Sequence, residues 1–254
     1  MRKNRARQSQ IADLILGQGS MTAQELAEMF GVSVMTIHRD LDELERQGVL
    51  RKARGVATAQ PSGVYEARVA FRHAAAVEQK RRIAQAALRR VEPGMSVLLD
   101  DSTTVLHMVP GLAEVAPLHV ATNFLAAIKE LATMPDVRVI GIGGDYDPLH
   151  DSFQGMHAIE IIQAIHADVL FMSTSAVAAG HAYHQEERIV AFKRAMIESA
   201  STRYLLVDSS KLDKTALHRL ASLSVFDVMI TDSDASPKAL DALEAAGVTV
   251  EVAP

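Results

Sequence analysis

The chain contains no cysteine, which excludes disulfide bonds, thiolate metal ligands and cysteine nucleophiles and fits a reducing compartment. It has no apolar run of the roughly 18 residues that a bilayer span requires. Its basic N-terminus lacks the apolar stretch of a secretory signal. A cytoplasmic location with no membrane partner is the expectation. What is present is ordinary for a folded chain: 48% hydrophobic and 22% charged residues. A length of 254 residues allows a small module and a larger one with its own core.

The net charge of -5 hides an asymmetry. Residues 1–58 hold nine Lys/Arg against seven Asp/Glu, a balance of +2, and the remainder holds 17 against 24, a balance of -7. Arg2, Lys3, Arg5 and Arg7 form one basic cluster, and Arg51, Lys52 and Arg54 form another. Two such clusters flanking a helical module suit a phosphate backbone, although a charge cluster is often only a solvated face.

Ile11, Leu14 and Ile15 recur at helical spacing, so residues from about 5 to 17 are expected to form a helix that stops at Gly17 and Gly19. Thr22 and Glu25 form a capping box that opens a second helix, which Gly31 ends. Ser33 caps a third helix that runs through Gln47, with Ile37, Leu41 and Leu44 inward and Met35, Thr36, His38 and Arg39 elsewhere. Two helices joined by a short Gly-containing turn make a helix-turn-helix, whose second helix enters the major groove. The segment Val49–Thr58 alternates apolar and basic residues about Gly55, as a two-stranded wing does.

The candidate DNA-contacting residues are Arg5, Ser33, Met35, Thr36, His38, Arg39, Arg51, Lys52 and Arg54. Arg39 is suited to guanine or to a phosphate, and Thr36 to a base edge or a phosphate. His38 donates strongly only when protonated. A winged helix used only for protein contacts is the competing reading, and the two basic clusters argue against it.

Residues 25–55, ELAEMFGVSVMTIHRDLDELERQGVLRKARG, resemble the N-terminal signature of the DeoR family of sugar-metabolism repressors. That family usually carries Thr-Ile-Arg-Arg-Asp-Leu and a wing ending in His-Gly-Gly. Here His38 stands at the first arginine of the pair, and Arg54-Gly55-Val56 stands in place of His-Gly-Gly. Both departures bear on the operator sequence.

Thr58 to Gly63, with Pro61, reads as a joint, and a helix is expected from about Ala75 to Arg90. The expected domains are a winged helix-turn-helix over 1–58, a linker over 59–74 and an effector domain over 75–254. Beyond Gly94, apolar strands at 97–99, 119–122, 137–142, 169–173, 204–208 and 228–231 alternate with helical stretches. This is α/β patterning with a mainly parallel sheet, whose ligands bind at the carboxyl ends of the strands.

Polar residues follow strand after strand: Asp100 to Thr104, Thr122-Asn123, Gly143-Gly144-Asp145, Ser173 to Ser175 and Asp208 to Lys211. Hydroxyls and backbone N–H groups entering a helix make a phosphate cradle, with Lys211 as countercharge. Ser and Thr are also common helix caps, and Gly143-Gly144 alone would equally serve as a tight turn. The region around Gly141 lacks the full G-x-G-x-x-G fingerprint, so no dinucleotide and no other cofactor is expected.

This half resembles the DeoR-family sensor domain, itself similar to ribose-5-phosphate isomerase, and the resemblance runs from about Arg5 to Asp232. It also matches Lys193-Arg194-Ala195-Met196 to a family helix, with Ser102 where glycine is usual and Ser175-Ala176 where Ser-Gly is usual. The resemblance implies that a phosphorylated sugar binds Asp100, Ser102, Thr103, Thr104, Thr122, Asn123, Gly143, Gly144, Ser175, Lys193, Asp208 and Lys211. It implies a carbohydrate-gene repressor acting as a homodimer or homotetramer on repeated half-sites of double-stranded operator DNA.

Two rival readings remain. Asp100, Asp208 and Lys211 would furnish the base and electrophile of a sugar-phosphate isomerase fused to a DNA-binding head. A fold shared with enzymes does not carry activity, so a regulator without catalytic residues is expected. His181 and His184, close to Glu186 and Glu187, have a spacing that metal sites use, but no second cluster is in view and no metal is expected.

Overall fold

Thr22 closes a reciprocal capping box: its Oγ1 accepts from the Glu25 N–H at 3.2 Å, and Glu25 Oε2 accepts from the Thr22 N–H at 2.7 Å. The box starts helix α1 (Ala23–Phe30), which ends at Gly31 in the left-handed conformation with φ 62°. The computed structural model describes residues 7–8, 10–12, 14–15, 20–46, 49–53, 55–59 and 69–254. The chain divides into two compact units, 1–75 and 76–254.

In the first unit, described residues between 7 and 15 are helical, with Ile11 and Ile15 buried. Helix α2 (Val34–Arg46) starts where Ser33 Oγ accepts from the Thr36 N–H at 3.2 Å. It buries Ile37, Leu41 and Leu44 against Ile11, Ile15, Leu26 and Leu50. The 13-residue helix has these apolar positions at spacings of four and three, which is the stripe that the core requires.

The wing forms as an antiparallel pair, β2 (Leu50–Ala53) and β3 (Val56–Ala59), with Arg51 opposite Thr58. A short strand that the residue pattern does not announce, β1 (Ser20–Thr22), joins β3 with Met21 opposite Ala57. Three residues are too few to display an alternation. The stretch expected as linker, 59–74, contains a helix, α3 (Val69–Ala74).

The second unit begins with α4 (Val77–Leu88), close to the expected span. Its main sheet has seven strands in the order β15-β14-β12-β9-β4-β5-β6, every neighbouring pair parallel. These are β4 (Ser96–Leu99), β5 (Leu118–Thr122), β6 (Val137–Gly141), β9 (Ala167–Met172), β12 (Ala200–Leu206), β14 (Val228–Asp232) and β15 (Val250–Ala253). Six were expected, and β15 is the addition. The chain places β4, β5 and β6 outward in one direction, then returns to lay β9 on the other side of β4 and continues outward through β12, β14 and β15. The winding direction therefore reverses between β4 and β9, which opens a crevice at their carboxyl ends.

Two smaller features sit beyond the main sheet. β7 (Asp145–Asp147) and β8 (Ser152–Gln154) make a hairpin, and β10 (Ala176–Ala178), β11 (His181–His184) and β13 (His218–Ser222) make a second, antiparallel sheet. After the short helices α5 (Thr103–Leu106), α6 (Val109–Leu112) and α7 (Leu125–Leu131), the helices α8 (Met156–Gln163) and α9 (Glu187–Glu198) contribute Ile162, Val190, Phe192 and Met196 to a core shared with Leu98, Leu170 and Leu205. Gly144 is required where it stands. A Cβ there would lie 2.3 Å from the Gln154 carbonyl oxygen of β8, and its φ is +147°.

One polar contact inside the first unit adds to its apolar core. Asp40, on the inner face of α2 and 3% exposed, accepts from Arg7 Nε at 2.6 Å and Gln8 Nε2 at 2.9 Å, tying the first helical segment to α2. Asp40→Ala removes the acceptor and leaves those donors without it, so it should cost about 1 to 3 kcal/mol in chemical unfolding of the first unit followed by circular dichroism.

Candidate ligand site and nucleic-acid interface

The face that α2 presents is polar at its N-terminal end. Ser33, Met35 and Arg39 are exposed, and Thr36 and His38 are half-buried. Met35 exposes 64% of its surface on this face. The Ser33 and Thr36 hydroxyls are 2.9 Å apart, and His38 Nδ1 is buried without a hydrogen-bond partner. Arg39 and Arg51 are exposed and form no ion pair among the described residues.

Lys52 is placed differently from expectation. Its Nζ pairs with Asp42 at 2.6 Å and its N–H donates to Glu45 Oε1 at 2.8 Å, so it fastens β2 to α2. Arg7, counted in the basic N-terminal cluster, is spent on Asp40. Arg5 and Arg54 lie outside the described residues.

In the second unit the strand-end residues converge on the crevice between β4 and β9. Asp100, fully buried after β4, receives the Ser102 N–H on Oδ1 at 3.0 Å and the Ser173 N–H on Oδ2 at 2.9 Å. Lys193, from the inner face of α9 and 3% exposed, bonds Asp100 Oδ2, donates to the Ser173 carbonyl at 3.1 Å and lies 3.6 Å from Asp101. Lys211 donates to Ser173 Oγ at 3.1 Å and stands 3.5 Å from Asp208. Thus Asp100, Ser102, Lys193, Asp208 and Lys211 form one hydrogen-bonded and ion-paired group with Ser173.

Ser102 Oγ caps the short helix α5 (Thr103–Leu106) by accepting from the Val105 N–H at 3.1 Å. Thr103 and Thr104 are buried behind it, and Thr104 Oγ1 has no partner. Thr122 Oγ1 accepts from the Phe124 N–H at 3.1 Å, a local turn. Asn123 Nδ2 donates to the Phe153 carbonyl at 2.9 Å, leaving Asn123 Oδ1 buried and unpaired. Gly144 packs against β8, and the Ser175 N–H bonds the Tyr183 carbonyl of β11.

The hairpin extends the network in a way the residue pattern did not show. Ser152 Oγ donates to Asp101 Oδ2 at 2.7 Å and receives Gln154 Nε2 at 3.0 Å. Lys80 was also missed: it is 3% exposed on α4 and its charge acts on Asp208. A lysine at i-3 from Ile83 and i-4 from Ala84, on the stripe otherwise apolar, was the available signal. The histidine pair weighed for metal does not converge: His181 Nδ1 lies 2.8 Å from the Ala179 carbonyl, and His184 Nδ1 accepts from the Glu186 N–H at 3.2 Å.

A winged helix-turn-helix together with a parallel α/β unit whose polar crevice lies at the strand-order reversal defines a DNA-binding regulator that carries its own sensor. Residues 7–62 match the DeoR-like helix-turn-helix domain, and residues 75–233 match the DeoR C-terminal sensor domain. The chain belongs to the DeoR family of transcriptional regulators. It is 31% identical to the L-fucose operon activator of Haemophilus influenzae, over 85% of this chain and 86% of that protein. It is 30% identical to the glycerol-3-phosphate regulon repressor of Escherichia coli, over 91% and 92% of the two chains. A ribose 5-phosphate isomerase A from Methanocaldococcus jannaschii aligns with 53% of this chain and 54% of its own, at 14% identity and a TM-score of 0.39. No helix among the described residues is long and apolar enough to cross a membrane.

The electrostatics of the crevice make a pH-dependent claim. Burial pushes the Asp208 carboxyl up, but the Lys211 and Lys80 charges and the Ser210 hydroxyl outweigh it and hold the pKa below the usual carboxylate value. A lowered folded pKa contributes stability that is complete above the unfolded value, about 3.9, and is lost as pH falls through the folded value. Lys211→Met removes the largest opposing cause, so acid unfolding monitored by circular dichroism should begin at higher pH than in the parent. An unchanged acid transition would mean that Lys211 does not hold Asp208 ionised.

Proposed function

We propose that the protein is a cytoplasmic repressor of carbohydrate-metabolism genes whose affinity for double-stranded operator DNA is set by a phosphorylated sugar in the crevice between β4 and β9. The observation that carries this reading is the placement of Asp100, Ser102, Ser173, Lys193, Asp208 and Lys211 together where the sheet reverses direction, with Thr104 Oγ1 and Asn123 Oδ1 buried and unpaired nearby. Fixed donors and acceptors without partners are what a polyol phosphate satisfies. Ser102, Thr103, Thr104 and Lys211 take the phosphate, and Asp100, Thr122, Asn123, Gly143, Gly144, Ser175, Lys193 and Asp208 shape and hold the rest of the pocket. The match to a sensor domain and the sugar-operon names of the relatives support the choice of ligand class.

The effector shifts DNA binding by preferring one state of the protein. A tenfold change in operator affinity requires about 1.4 kcal/mol of such preference. The active species is a homodimer or homotetramer that pairs two reading heads on repeated half-sites. The crevice binds without turning its ligand over, and turnover of ribose 5-phosphate or a hexosamine phosphate by the purified protein would replace this reading with that of an isomerase.

Two measurements check the halves separately. A thermal-shift screen of sugar phosphates should find one that raises the melting temperature and changes operator gel shifts; if none does either, the sensor reading fails. In the head, Arg39→Ala should weaken specific DNA binding by about 1 to 3 kcal/mol, whereas Arg51→Ala should weaken all sequences alike. Equal losses for Arg39→Ala on specific and random DNA would make Arg39 a phosphate contact.

A further inference from the structure

A second buried polar cluster lies where the β7–β8 hairpin meets the start of α9, and the proposed function makes no use of it. His150, in the hairpin turn, is 1% exposed. Its Nδ1 lies 2.9 Å from Asp147 Oδ2, and its Nε2 lies 3.3 Å from Glu186 Oε1 without a hydrogen-bond partner. Asp147 already accepts from the Leu149 N–H and from Arg188, so as an acceptor-only carboxylate it fixes the ring proton on Nδ1.

With one proton on the ring, held at Nδ1, the Nε2 lone pair faces a carboxylate oxygen. Two lone pairs 3.3 Å apart, one of them on a buried ring nitrogen, repel unless a cation or a proton stands between them. Arg188 does not fill the gap, because its Nε donates to the other oxygen, Glu186 Oε2, at 3.2 Å and its Nη2 to Asp147 Oδ2. Two carboxylates against one guanidinium leave the cluster one positive charge short.

We propose that this cluster binds one divalent first-row transition ion of the zinc type, with His150 Nε2 and Glu186 Oε1 as protein ligands and Asp147 orienting the imidazole through its Nδ1–H. Two donors each about 2.1 Å from a tetrahedral ion stand about 3.4 Å apart, which the present spacing matches. A carboxylate behind the ligating imidazole is the usual means of fixing its tautomer and raising its basicity. Asp147, His150 and Glu186 offer donor atoms that all lie within 4.8 Å of one another, with Asp147 behind the ring at Nδ1 and Glu186 on the ion's side at Nε2.

Imidazole ligation selects against calcium and magnesium, and a chain without thiolates selects against copper(I). Glu186 keeps 22% of its side chain exposed, so an ion has a path in and water completes the coordination. His184 positions the site: its Nδ1 holds the Glu186 N–H, and its ring centroid is 6.4 Å from that of His150. The ion pins the hairpin to α9, the helix that presents Lys193 to Asp100. The inference stands apart from the identity of the crevice ligand.

The test uses the full chain, stripped with chelator and titrated with Co2+ while its visible absorption is followed. The expected result is one Co2+ per chain with d–d bands, displaced by Zn2+, and a Zn2+-dependent rise in melting temperature. Glu186→Gln, at a partly exposed position, and His150→Gln should each weaken binding by more than the roughly 10- to 100-fold that loss of an outer partner costs, while Arg188→Gln should leave it at least as tight. If His150→Gln fails to fold, Glu186→Gln alone decides. Absence of stoichiometric binding would mean that a proton, making His150 an imidazolium, fills the gap, and binding unchanged in Glu186→Gln would assign the metal to other histidines; either overturns the proposal.

Discussion

The ion pair between Asp100 and Lys193 is the contact on which the second unit depends. Both groups are sealed from water, an arrangement that costs several kcal/mol per charge unless every lone pair and proton is used. Here they are used. Asp100 takes two backbone N–H groups and the ammonium, and Lys193 returns a hydrogen bond to the Ser173 carbonyl. The pair therefore fixes the ends of β4 and β9 at the place where the sheet reverses, and it holds α9 over them.

Helix α9 serves several structures at once. Its first turn carries Arg188 to the hairpin, its middle carries Lys193 to the crevice, and the next residue, Arg194, donates to the Leu220 and Arg219 carbonyls of β13 at 2.8 Å each. The hairpin, the crevice and the second sheet are thus braced by neighbouring residues on one rigid element. A change in the position of α9 at any of these contacts is transmitted to the others, because a packed helix moves as a body.

The legible part of the sequence was the part written in periodicity and capping. Thr22, Glu25, Gly31 and Ser33 announce their helices because each cap is a local hydrogen bond between residues three apart or a single left-handed turn. Six of the seven main strands announce themselves because parallel strands buried on both faces read as apolar runs. The strand-end residues were legible for the same reason, since the ends of such strands meet at one rim. What was not legible is long-range. Ser152 reaches Asp101 across 51 positions, and Lys52 turns to Asp42 although its neighbours in the wing are basic. β7, with the sequence Asp-Tyr-Asp, has no apolar run to show, and it becomes a strand because Ser152–Gln154 lies opposite it. The His150 environment is of this kind too, assembled from a hairpin turn and the start of a helix 36 residues later.

The crevice has a further property that follows from how its charges are matched. Lys193 is neutralised by Asp100, and Lys211 stands beside Asp208, so the rim presents directed donors and acceptors with little unbalanced charge. In the proposed function the sugar's hydroxyls are recognised by their fit to fixed positions and its phosphate by a partly buried lysine, where salt screens charges less than at an open surface. In the same proposal the exposed Arg39 and Arg51 act on DNA through a field that salt screens, with release of counterions. On that reading signal reception and DNA output answer differently to the ionic composition of the cell: the second follows it more closely than the first.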